Sequence, residues 1–134
     1  LFGEGHVRAF SNIKDSLLPF LRAAELDEKL DKQIINLGGK EPVTVADFAQ
    51  EILKHFPEKK DYPIIQAPAR PHEVKEAWST TKKSEELLHY KETYGWRAAV
   101  EDMCEWLRAK GAQKWKIETL PLLNDKAPAI WRNR

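Results

Sequence analysis

The stretch from Glu4 to Ala24, "EGHVRAFSNIKDSLLPFLRAA", sets an arginine inside an alternating apolar run and then changes period. Over residues 6–13 the alternation predicts a strand, with Val7, Ala9 and Ser11 on one face and Arg8, Phe10 and Asn12 on the other. Over residues 16–25 the spacing turns helical. Asp15 is placed to cap that helix, Leu17, Leu18, Phe20, Leu21 and Ala24 supply its apolar face, and Pro19 is tolerated near its start. A guanidinium on a half-buried strand needs an anion. Arg8 therefore pairs with Asp15 or Glu73 of its own chain, or with a ligand.

Strand-like and helix-like segments continue downstream. "QIINLGG" (33–39) reads as a largely buried strand closed by two glycines. In "EPVTVADFAQEILKHF" (41–56), Thr44 and Asp47 form a capping-box variant, Val45, Phe48, Ile52 and Phe56 mark one helix face, and Pro57 ends it. Tyr62–Gln66 reads as a short edge strand, because Pro63 cannot donate to a ladder. An extended loop then presents Arg70, His72 and Glu73. "STTKKSEELLHY" (79–90) gives a short helix burying Leu87 and Leu88. In "TYGWRAAVEDMCEWLRAK" (93–110) the longest helix carries Trp96, Val100, Met103, Trp106 and Leu107 on one side and stops at Gly111. The expected fold is α/β (mixed α+β), a small sheet of short strands packed with about four helices. It occupies residues 1–111, and an apolar tail over 112–134, with Trp115 and Trp131, packs on the domain or on a partner.

A chain of 134 residues is enough for one domain. With 42% hydrophobic and 32% charged residues, and no apolar run near the ~20 residues of a membrane span, it reads as soluble, with no membrane partner. The net charge of +1 gives no general attraction for nucleic acid, so an anion site must come from placement. The single cysteine, Cys104, excludes an internal disulfide, suits a reducing, cytoplasmic compartment, and reads as a small buried hydrophobe. The chain opens on Leu1 and a Gly-containing turn, which implies a piece of a longer chain or a cloning artefact. There is no G-x-G-x-x-G, no Walker-type phosphate loop and no G-x-S-x-G elbow. His6, His55, His72 and His89 lack the spacing of a zinc site, so neither a metal nor a catalytic residue is expected.

Three segments, taken in order, resemble the carboxy-terminal, substrate-binding half of the extended short-chain dehydrogenase/reductases, the NAD-dependent epimerase/dehydratase family that includes UDP-glucose 4-epimerase. "GEGHVRAFSNIKD" (3–15) is similar to the family pattern G-[DE]-G-x-x-x-R-x-F-x-[YH]-[VI]-x-D with one residue fewer before the arginine. "IINLGGKEPVT" (34–44) is similar to [IV]-x-N-[IL]-G-x-x-x-x-[VI]-[ST]. "RPHEVKEAWSTTKKSEELLHY" (70–90) is similar to R-P-[GA]-[DE]-V followed by a Ser/Asp-x-[ST]-K-A-x-x-x-L-G-[YW] helix.

The resemblance implies the smaller α/β half that holds a nucleotide sugar, a UDP-sugar foremost, without the Rossmann half that binds NAD. It further implies that Arg8 and Arg70 approach the ligand diphosphate and that Glu73 binds nucleoside hydroxyls. The family's Tyr-x-x-x-Lys pair is absent, since Tyr62, Tyr90 and Tyr94 are followed four residues on by Gln66, Tyr94 and Ala98. Alone, the chain is expected to carry no cofactor and no oxidoreductase activity; its partners would be an upstream Rossmann domain or a second copy of itself. Asn12 stands where the family often has an aromatic residue or histidine. His72 replaces a small residue, which implies a crowded diphosphate approach or an unusual backbone angle. The alternative reading is a freestanding scaffold used for self-association or protein binding.

Overall fold

Two side chains decide where the first helices begin. Asn12, in extended backbone, accepts a hydrogen bond from the Lys14 N–H (2.9 Å) and starts α1 (Ile13–Glu25). Thr44 closes β2 (Pro42–Thr44) and starts α2 (Val45–Lys54), its Oγ1 accepting from the Asp47 N–H (3.0 Å) and donating to the Asp47 carboxylate (2.6 Å). The computed structural model describes residues 1–3, 5–26 and 30–112. Its remaining elements are β1 (Val7–Ala9), a 3-10 turn at Pro57–Lys59, β3 (Glu76–Ala77), α3 (Lys82–Leu88) and α4 (Gly95–Lys110). The expected tail over 112–134 lies, from residue 113 onward, outside the described residues. No helix among the described residues is long and apolar enough to cross a membrane.

The sheet has the order β2-β1-β3, with β1 antiparallel to β2 and parallel to β3. Arg8 lies on the central strand, opposite Val43 on one side and Ala77 on the other. Val43, Trp96, Val100 and Cys104 form the buried core, packed by Phe10, Phe48, Ile52 and Phe56. The Phe10 and Phe48 rings stack with centroids 3.9 Å apart. The mixed α/β class and the four helices match the sequence reading.

Several details differ. The first strand pairs only over residues 7–9. The segment 33–39 is no strand and joins none of the three strands of the sheet. It is instead a packed connection: a Cβ on Gly39 would lie 2.1 Å from the Phe10 carbonyl oxygen, and the Tyr90 hydroxyl donates to the Gly38 carbonyl (2.8 Å). Residues 62–66 form no ladder. A single parallel bridge joins Phe2 to Ala67, between Pro63 and Pro68, which remove donors on either side. On α4 the inward stripe is Trp96, Val100 and Cys104. Met103, Trp106 and Leu107 stand exposed, off that stripe.

The first helix departs most from expectation. Its apolar residues Ile13, Leu17, Leu18, Phe20 and Leu21 are 52–69% exposed, whereas Asp15 is 5% exposed. Asp15 does not cap its own helix. Its carboxylate accepts the backbone N–H groups of Thr93 (2.9 Å), Tyr94 (3.2 Å) and Gly95 (3.2 Å), and so caps α4, whose N-cap residue Tyr94 makes no side-chain capping bond. Helix N-termini leave such donors orphaned and favour negative charge. Asp15→Ala should therefore destabilise the chain by about 2 kcal/mol. The corresponding drop in melting temperature is roughly 8 °C, measured by circular dichroism. A drop below about 2 °C would show that α4 needs no cap from α1.

Candidate functional site

Arg8, Arg70 and Glu73 converge on one small cluster. Arg8 leaves the central strand and is tied down through one terminal nitrogen, Nη1, which donates to the Val7 carbonyl (2.7 Å) and the Lys75 carbonyl (3.2 Å). Its Nη2 lies 3.6 Å from Glu73 Oε1. Arg70 grips the same carboxylate as a fork, Nε to Oε2 at 2.9 Å and Nη2 to Oε1 at 2.5 Å. The Arg70 guanidinium also lies 5.1 Å over the Phe2 ring. Of the two intrachain partners open to Arg8 in the sequence, the structure selects Glu73; Asp15 is engaged at α4.

Local backbone explains how Arg70 and Glu73 meet. Pro71 fixes one torsion of a turn in which the Glu73 N–H donates to the Arg70 carbonyl (3.3 Å), and His72 adopts φ +60° at the third position. That is the left-handed conformation glycine takes without strain, and for a residue with a Cβ it costs about 1–2 kcal/mol. The unusual angle expected at His72 is present. His72 itself is exposed, and the turn returns the chain so that Glu73 lies back against Arg70.

The charges reinforce one another. The Arg70 hydrogen bond holds the Glu73 carboxyl below the usual carboxylate range, against the opposing effect of desolvation, and the charges of Arg70, His6 and Arg8 push it the same way. The bond to Glu73 raises the Arg70 guanidinium in turn. Two guanidiniums share one carboxylate, so the trio carries a net positive charge. An oxyanion with forked oxygens is the chemistry that complements it.

Asn12 takes no part. It is buried, caps α1, and donates through Nδ2 to Asp102 (3.0 Å), a structural role that accounts for an amide at this position. Sequence reading missed Phe2, on which Arg70 rests, and the Lys75 carbonyl that anchors Arg8. Neither carries a motif, because one acts through a ring face and the other through its backbone. A groove of about 1020 Å³ lies elsewhere, between α1 and residues 30–37, lined by Pro19, Phe20, Ile35 and Leu37 among others and by none of the three candidate residues. Among the described residues no three His, Cys, Asp or Glu side chains gather as a metal-binding group. Cys104 is buried, and burial pushes its thiol up, away from nucleophilic use.

No protein-family model matches the chain. It is 24% identical over 120 residues to UDP-N-acetyl-alpha-D-glucosaminuronate decarboxylase of Bacillus cytotoxicus, covering 81% of this chain and 35% of that protein. Among solved structures it is similar to UDP-glucuronic acid 4-epimerase of Bacillus cereus, crystallised with UDP-glucuronic acid and NAD (TM-score 0.65, 24% identity, 83% of this chain and 35% of that one). It is likewise similar to UDP-glucose 4-epimerase of Thermotoga maritima, crystallised with UDP-glucose (TM-score 0.67, 23% identity, 82% and 34%). The chain thus spans about 35% of the length of the relatives it matches. The family that the three sequence motifs resemble is the one both comparisons reach, and the fold is shared with it.

The Arg70–Glu73 pair makes a pH-dependent contribution whose sign is fixed. A carboxyl with a lowered folded pKa contributes stability above its unfolded value, about 4.3, and that contribution is lost as the pH falls through the lower folded value. Carbon-detected NMR of the Glu73 carboxyl should show a titration midpoint below the ordinary glutamate value, moving upward in Arg70→Ala. An unmoved midpoint in that variant would show that the pair does not set it.

Proposed function

We propose, for a chain that resembles UDP-sugar epimerases and decarboxylases over about 35% of their length, that it carries the substrate-binding half-site for a nucleotide sugar, a UDP-sugar foremost. Arg8 and Arg70 bracket the diphosphate, and Glu73 accepts hydrogen bonds from nucleoside hydroxyls. The observation that carries this reading is the convergence of two guanidiniums, one from the central strand and one from a loop, on a single forked anion, here the Glu73 carboxylate. Each charge-assisted bond to a phosphate oxygen contributes about 1.5–3 kcal/mol, and two arginines together are enough for a weak but specific half-site. Lysine at either position would lose the fork.

The catalytic half of the reaction does not fit this chain. Neither G-x-G-x-x-G nor Tyr-x-x-x-Lys occurs in the sequence. We assign hydride chemistry to an upstream Rossmann domain, so the chain alone turns over no substrate in the presence of NAD. Titration with UDP-glucose followed by amide NMR should move resonances around Arg8, Arg70 and Glu73 at millimolar ligand. Arg70→Ala should weaken that binding about tenfold or more, the equivalent of one such bond. Shifts scattered over the surface, or unchanged in the variant, would remove the half-site reading.

A second reading rests on a separate observation, the outward apolar face of α1. An exposed patch of this kind marks an interaction surface, which an upstream domain or a second copy of the chain would cover. Size-exclusion chromatography with light scattering tests the second of these: a stable dimer at micromolar concentration supports self-association, and a monomer removes it.

A further inference from the structure

The ligand-free arrangement of the half-site contains its own anion. Arg70 has committed its Nε and one terminal nitrogen to the two oxygens of Glu73, and Arg8 reaches the same carboxylate more loosely, at 3.6 Å. An incoming phosphate therefore meets a fork already filled. Arg8 cannot swing aside to receive it, because its Nη1 is bonded to two backbone carbonyls of the sheet region. The exchangeable contact is the one between Arg70 and Glu73.

We infer that Glu73 is a specificity-determining residue that occupies the arginine pair until a ligand bearing two adjacent anionic groups, a diphosphate, displaces it. The inference rests on the half-site reading above and goes beyond it, because Glu73 opposes anion binding before it can assist a nucleoside. Three features support it. Glu73 is held three residues from Arg70 by a turn with Pro71 and a left-handed His72, so the carboxylate stands at high effective concentration, of order millimolar or more for so short a tether. A free monoanion replaces one carboxylate by another negative charge of the same size and loses its own freedom of motion. A diphosphate carries more charge than Glu73 and can span both guanidiniums, satisfying the positive charge that the trio leaves uncompensated.

The test is calorimetric titration of inorganic pyrophosphate into the wild-type chain, Glu73→Gln and Arg70→Ala. Glu73→Gln keeps the shape and removes the charge, and it should bind pyrophosphate about tenfold more tightly, as expected when a tethered competitor of this kind is removed. Equal or weaker binding by a folded Glu73→Gln, with binding still lost in Arg70→Ala, would overturn the inference and leave the half-site intact. Pyrophosphate binding indifferent to Arg70→Ala, or no binding by either the wild type or Glu73→Gln at 10-millimolar order, would overturn both. Should Glu73→Gln fail to fold, the wild type still decides: the carbon resonance of the Glu73 carboxyl should shift upon addition of pyrophosphate as Arg70 lets it go, and a resonance that stays in place while pyrophosphate binds would overturn the exchange.

Discussion

One buried carboxylate joins the two parts of this fold. Asp15 sits on α1, but the backbone N–H groups it accepts belong to residues 93–95, at the head of α4. A buried charge without partners is costly, and here its oxygens take up donors that the helix end leaves free. Gly95, with φ +69°, lets the chain enter α4 at an angle that presents those donors together. Since α4 supplies Trp96, Val100 and Cys104 to the core, the contact that orients α4 also orients the packing against β2 and α2. Asn12 and Lys14 secure the same junction, both reaching the carboxylate of Asp102 one to two turns further along α4.

Much of this was legible in the sequence where a local rule decided the outcome. Thr44 and Asp47 predicted the start of α2, Gly111 the end of α4, and the period of residues 79–88 and 93–110 the last two helices; all four helices form. What the sequence could not show was which partner wins across space. Asp15 satisfies the pattern of an N-cap for its own helix, yet Asn12 takes that position and Asp15 serves a helix far along the chain. The run 33–39 has strand composition, but its glycines are held by other contacts, Gly39 against the Phe10 carbonyl and Gly38 by the Tyr90 hydroxyl, and it enters no ladder. The three candidate site residues were named from motif resemblance. The structure brings them together, and it chooses between the two intrachain partners that sequence left open for Arg8.

The candidate site combines a fixed arm with an adjustable one. Arg8 projects from the central strand, flanked by pairings to β2 and β3, and its guanidinium is bonded to the backbone carbonyls of Val7 and Lys75. Arg70 and Glu73 come from a turn stabilised by proline and strained at His72. A rigid cation beside an exchangeable pair can discriminate among anions by charge as well as by shape, because the ligand must outdo an internal carboxylate. Two fixed arginines with no such carboxylate would accept any small anion that reached them.

The orientation of α1 follows from polar rather than apolar contacts. Asp15 fastens its first turn to α4, and Arg22, in its last turn, donates to the carbonyls of Leu88 and His89 at the end of α3 (2.9 and 3.1 Å). Both residues lie on the inward side, so the helix is held at both ends by hydrogen bonds to helix termini, while its leucines and Phe20 turn away from the core. An amphipathic helix that relied on its own hydrophobic face would rotate it inward. Here the buried polar anchors forbid that rotation, because turning the helix would strand a carboxylate and leave both helix ends unsatisfied. The apolar face is therefore not a defect of packing in this unit. It is kept outward by the same interactions that hold the helix against α3 and α4.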